Sequence, residues 1–197
     1  MRLAAFLLAG LLALGGWQVV RREQNERRLA FVATEVAQRD VGVDCPGFFA
    51  RLVEITPNAG WVDFDEDGRP ADEAHLSAAT CKSLERTWRA GEPPSFACLR
   101  DICMPETFEL VAGIVTLAHE SWHLRGVTNE AQTQCYAIQT TELVALRLGV
   151  RPADARNIAE FLAARDSGVP AGEYHSAECR PGGSFDLHPE TSDWPTG

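Results

Sequence analysis

Two histidines four residues apart with a glutamate beside the first, His119-Glu120-Ser121-Trp122-His123, are the residues in this chain whose types and spacing point most directly to chemistry. On a helix, positions four apart lie one above the other on one face, so both imidazoles can converge on a single metal ion. Glu120 then stands next to the ion. It is placed to take a proton from a water molecule as general base rather than to serve as a ligand. Without a metal, the same residues read as a core histidine pair satisfied by hydrogen bonds, so the surrounding sequence has to decide.

The elements around the motif favour a bound ion. Pro105 suits the first turn of a helix, where its missing N–H costs nothing, and Glu106 and Glu109 complement the positive end of the helix dipole. Leu110, Val111, Ile114, Val115, Leu117 and Ala118 make that helix apolar nearly all round, which predicts burial. Two histidines and a glutamate at the end of a buried helix are costly unless paired or bound. Gly126 is the expected stop, placing His123 in the last turn. Thr128 or Asn129 caps a following helix that ends at Gly149, and Pro152 opens a third that runs to about residue 165. Upstream, Ser77 caps a helix over 78–90, and Gly60–Phe64 alternates as a strand that turns at Asp65-Glu66-Asp67-Gly68. The same acidic turn has a rival reading as a calcium loop, but it lacks both the spaced acidic pattern and the glutamate at the twelfth position. Residues 41–45 look β-like, and FFARLVEI (48–55) reads as a short helix.

The uncharged residues inside and next to the motif, Leu117, Ala118, Ser121, Trp122 and Leu124, complete a segment that resembles the zincin metallopeptidases; Arg125 departs from their pattern. HESWHLRGVTN is similar to the metzincin HExxHxxGxxH, but Asn129 stands where the third histidine belongs and no methionine comes after it to make the Met-turn. Glu130-Ala131 with Tyr136-Ala137 instead resembles the compact gluzincins, over about Thr116–Ala137. That resemblance implies a zinc ion held by His119, His123 and Glu130, with Glu142 or His175 as alternative third ligands. It also implies a peptide or protein substrate held against the edge of the 60–68 hairpin, and His175 or Tyr136 as the group that stabilises the oxyanion. The implied activity is metal-assisted peptide hydrolysis with Glu120 as base. The alternative is a catalytically inactive zinc-binding protein of the cell envelope, which a fourth side-chain ligand from Cys135 or His175 would favour.

The fold expected is α+β: a mostly helical zincin-like domain with a small β-hairpin or sheet, preceded by an N-terminal transmembrane or signal helix. An apolar run over residues 3–20 spans about 27 Å as a helix, enough for either a signal peptide or a membrane anchor. Residues 21–40 continue it as a helical stalk with Leu29, Val32 and Val36 in phase; the domain then occupies 41–187, and 188–197 is a disordered tail. The formal charge is −10, and the first forty residues hold six arginines against four acids, so the remainder carries −12. Such a surface repels phosphate backbones and excludes nucleic acid as a partner. Arginines after the apolar run favour the cytoplasm for the chain on that side of it. Six cysteines, all beyond that run and none in a CxxC pair, favour an oxidising compartment with up to three disulfides, and place the domain on the extracytoplasmic side. Cys98 and Cys103 are the nearest partners; the other four allow three pairings.

Overall fold

The structure, a computed structural model, describes residues 2–47, 58–89, 95–191 and 193–195, and of residues 2–14 the backbone alone. The expected helix at 48–55 lies outside the described residues. Five α-helices are described, α1 (Arg2–Ala37), α2 (Ala78–Arg89), α3 (Pro105–Leu124), α4 (Glu130–Arg147) and α5 (Pro152–Asp166), together with a short 3-10 turn at Ala97–Arg100. Three strands, β1 (Gly42–Asp44), β2 (Gly60–Phe64) and β3 (Pro70–Leu76), form one sheet in the order β1-β3-β2. β1 runs parallel to β3 and β2 antiparallel to it, so the chain is α+β and mostly helical.

Helix ends obey their local signals. Ser77 Oγ accepts from the Thr80 N–H at 3.1 Å and Asn129 Oδ1 from the Gln132 N–H at 2.9 Å, each supplying an acceptor to a first-turn donor. After α3 the chain turns at Gly126 with φ +103°, where glycine is favoured, and the Val127 N–H returns to the Trp122 carbonyl. The same device recurs at Gly149, with Val150 bonded back to Ala145.

The core gathers around α3, whose Leu110, Val111, Ile114, Leu117 and Ala118 are buried, packed between α1, α2, α4 and the sheet. The segment expected to be a stalk turns out to belong to this core. Leu29, Val32, Ala33 and Val36 are all at or below 4% exposure. Burying each of these larger side chains stabilises the fold by about 1.5–3 kcal/mol, so the domain begins inside α1 rather than at residue 41. Arg39, just past α1, donates to the Leu124 carbonyl at 2.8 Å and pairs with Asp72 of β3, tying the end of the motif helix to the sheet. Among the described residues no helix is long and apolar enough to cross a membrane; much of the run expected to do so lies where side chains are outside the described residues.

Three disulfides join Cys45 to Cys81, Cys98 to Cys103 and Cys135 to Cys179. The second is the pairing expected from proximity. The third staples the irregular segment after α5 onto α4, where Gln139 also holds Phe185 and Leu187 through their backbone. In the tail expected to be disordered, Pro195 is buried and Trp194 half-buried, lining a cavity with Ala163 and Ala164 of α5.

Candidate metal centre

α3 projects His119 and His123 from adjacent turns of one face, and the tight turn at Gly126 brings the start of α4 back over them. Nε2 of His119 lies 3.0 Å from Nε2 of His123 and 3.0 Å from Oε2 of Glu130, and His123 Nε2 lies 3.3 Å from the same oxygen. The outer nitrogens are held separately. Nδ1 of His119 faces Gln134 Oε1 at 3.1 Å, and Nδ1 of His123 faces the Val127 carbonyl at 2.7 Å. Both partners only accept, so each neutral ring carries its proton on Nδ1 and turns a bare lone pair inward. Two imidazole lone pairs and a carboxylate oxygen then converge with no donor between them, an arrangement that repels itself until a cation enters. His119, His123 and Glu130 could therefore hold a metal ion. Hydrogen-bonded outer nitrogens are what metal-ligating histidines ordinarily show. Without a cation, burial and the neighbouring His123 hold the His119 imidazole below its usual range, so a proton is a poor substitute.

Glu120 shares this site without joining the triad. It is 5% exposed, and its Oε2 is buried with no hydrogen-bond partner. Burial, reinforced by the Glu130 carboxylate, pushes its carboxyl up to about 8. A nearby dication would favour the ionised form and offset that burial. Opposite it stands Gly60, at the start of β2. A Cβ there would meet Glu120 Cγ and Leu76 Cδ2 at 2.9 Å, so only the absent side chain gives the carboxylate its place.

A cleft of about 680 Å³ opens over these groups, walled on one side by β2 and on the other by Thr128, Gln134 and Tyr174. Among the described residues β2 is an edge strand of the sheet, since β3 pairs with it on one side alone. Tyr174 is half exposed with its ring 6.0 Å from that of His119, and burial together with Glu130 raises its phenol above the usual range.

Of the residues singled out from sequence, His119, Glu120, His123 and Glu130 come together. The others stand apart. His175 Nδ1 binds Asp166 at 2.6 Å at the end of α5 and is not among the cleft-lining residues. Tyr136 packs with its ring tilted against Trp122, centroids 4.7 Å apart, and its hydroxyl accepts from Gln132. Glu142 lies beside Arg156 at 3.6 Å, and Cys135 is consumed by its disulfide. Gln134 and Tyr174 are cleft residues that sequence reasoning did not single out, and Gly60 was read as the start of the substrate-holding strand without its close approach to Glu120. Gln134 had a weak signal, one turn beyond Glu130 on the same face; Tyr174 and the Gly60–Glu120 contact had none, because partners from distant elements define them. No protein-family model, curated protein or solved structure matches this chain.

Proposed function

We propose that this protein is a zinc-dependent metallopeptidase of gluzincin-like type. The observation that carries the reading is Glu120: a buried carboxylate oxygen without a partner, in the same cleft as three inward-facing donor atoms. Ligands about 2.0–2.1 Å from a tetrahedral zinc are separated by about 3.3 Å, close to the 3.0–3.3 Å between the donors here. Two imidazoles and one carboxylate are also a donor set that zinc accepts in catalytic sites. When bound, zinc supplies Lewis acidity, acidifying a water molecule and polarising the scissile carbonyl.

The chain's own residues supply the rest. Glu120 accepts the proton of the attacking water and delivers it to the departing amine, a task suited to a carboxylate shielded from solvent. The free edge of β2 offers backbone N–H and C=O groups to an extended peptide, which aligns the scissile bond over the cleft. In place of His175 and Tyr136, Tyr174 takes the role of hydrogen-bond donor to the developing oxyanion, because it alone of the three lines the cleft. The raised phenol keeps its proton at neutral pH, as a donor must.

An inactive, structural zinc would need a fourth side-chain ligand, and its candidates, Cys135 and His175, are engaged elsewhere. That favours an open fourth position for water. The three disulfides support a domain on the extracytoplasmic side, delivered or anchored by the apolar run at residues 3–20. The deciding experiment measures zinc content and cleavage of a mixed peptide library by wild type and Glu120→Gln. One zinc in both proteins, with cleavage by wild type alone, is expected. Equal cleavage by the two, or a zinc-free wild type, would overturn the proposal.

A further inference from the structure

The cleft over the metal site does not end at the histidines. A second groove of about 690 Å³ shares Asn58, Ala59 and Thr116 with it and continues along α3 toward its N-terminus. Its floor is made of small residues of α3, Ala112, Gly113 and Thr116, and its far wall is α2. The two helices are close at this point. A Cβ on Gly113 would lie 3.3 Å from Ser83 Oγ, and that hydroxyl donates to the Glu109 carbonyl at 2.7 Å. Lys82 and Arg86, one helical turn apart and both exposed, line this wall. Arg86 is shared with Glu109 at 3.5 Å, while Lys82 has no ion-pair partner among the described residues. With Lys82 and Arg86 set against Glu109 alone among the charged lining residues, this stretch of the cleft keeps an excess of positive charge in a protein of net charge −10.

We infer that the groove receives an acidic side chain of the substrate, bound by Lys82 and Arg86 about three to five residues from the bond cleaved. The spacing comes from the helix. Gly113 approaches Ser83, next to Lys82, and Glu109 meets Arg86, so the cations stand beside a stretch of α3 that begins about 9 Å and ends about 15 Å before His119 at 1.5 Å per residue. An extended peptide covers that distance in about three to five residues at roughly 3.3 Å each. The small floor leaves room for a chain that continues from the β2 edge, and the cations meet it where the groove ends. This inference rests on the peptidase reading of the cleft, and its test separates the two.

Full-length Glu120→Gln protein loaded with zinc is equilibrated with terminally blocked octapeptide pools, each fixed at one position as Glu, Gln or Lys. Glu pools should be retained about five- to tenfold over Gln pools, the scale of two exposed ion pairs. The preference should fall below about twofold after Lys82→Ala with Arg86→Ala, and Lys pools should gain after Lys82→Glu. Equal retention of Glu and Gln pools, a preference that survives the double substitution, or no retention of any pool would overturn the inference. Wild type is then given the same pools, and its cut sites are read by mass spectrometry. Cleavage with glutamate enriched about three to five residues from the bond supports both claims. Cleavage without that enrichment overturns the acidic site alone. A glutamate preference in binding with no cleavage by wild type overturns the peptidase reading and leaves the acidic-peptide site standing.

Discussion

Replacing Glu130 by glutamine removes one charge and almost no volume, so it isolates the carboxylate's part in the metal site. If Glu130 is the third ligand, its share of the binding free energy should be lost. Closed zinc sites bind with about 10–16 kcal/mol over four ligands, roughly 2.5–4 kcal/mol each. At about 1.4 kcal/mol per decade, affinity should fall by two to three orders of magnitude. The loss is also visible as stability. At free zinc a hundredfold above the wild-type Kd, binding stabilises the native state by about 2.7 kcal/mol; a site weakened a hundredfold keeps about 0.4 kcal/mol. Without zinc, Glu130→Gln gives up a dipole interaction of about 0.3–1 kcal/mol at the start of α4 and relieves the repulsion between its carboxylate and the two histidine lone pairs, so the metal-free variant should be at most about 1 kcal/mol less stable than wild type. Competition with a chromogenic chelator gives the affinities, and melts with and without zinc give the stabilities. Zinc bound by Glu130→Gln within about threefold of wild type would refute the assignment. So would zinc lost on Glu142→Gln, since that carboxylate sits with Arg156 of α5.

For the metal-free protein, the Glu120 carboxyl at about 8 folded against 4.5 unfolded contributes stability that is fully present below pH 4.5 and lost as pH rises through 8. At about 1.4 kcal/mol per pH unit that loss reaches up to about 5 kcal/mol, so chelated wild type should weaken between pH 5 and 9 while Glu120→Gln stays level; parallel denaturation midpoints over that range would count against it. Gly60→Ala forces a methyl against Glu120 and Leu76, and should cost about 1–3 kcal/mol and displace the base, lowering turnover without releasing metal; unchanged melting and activity would show that the approach is looser than described. Chain entropy ranks the disulfides by the loop each closes, with sequence separations of 44, 36 and 5 for Cys135–Cys179, Cys45–Cys81 and Cys98–Cys103. Paired replacement by serine should cost about 4, 4 and 2 kcal/mol respectively, and chemical denaturation that finds the shortest loop worth the most would reject that ranking.

The helices and the first two residues of the candidate metal centre were legible in the chain because their signals are local. Pro105 and Gly126 bracket α3, Asn129 and Gly149 bracket α4, and the four-residue spacing of His119 and His123 makes sense only on a helix. The strand at Gly60–Phe64 and the short-range Cys98–Cys103 bridge were equally local. Residues 21–40 show where local reading falls short. Leu29, Val32 and Val36 repeat as any amphipathic helix would, and the sequence has no way to say whether their partner is a membrane-proximal spacer or the core. Glu130, by contrast, reached the histidines because a tight turn limits where the next helix can start. Which remaining cysteines pair, that β2 rather than β3 lies at the sheet edge above Glu120, and that Tyr174 rather than His175 or Tyr136 faces the cleft are tertiary decisions. Each depends on how elements separated by tens of residues pack, and packing free energy is shared among many side chains at once, so no spacing within a single segment records it.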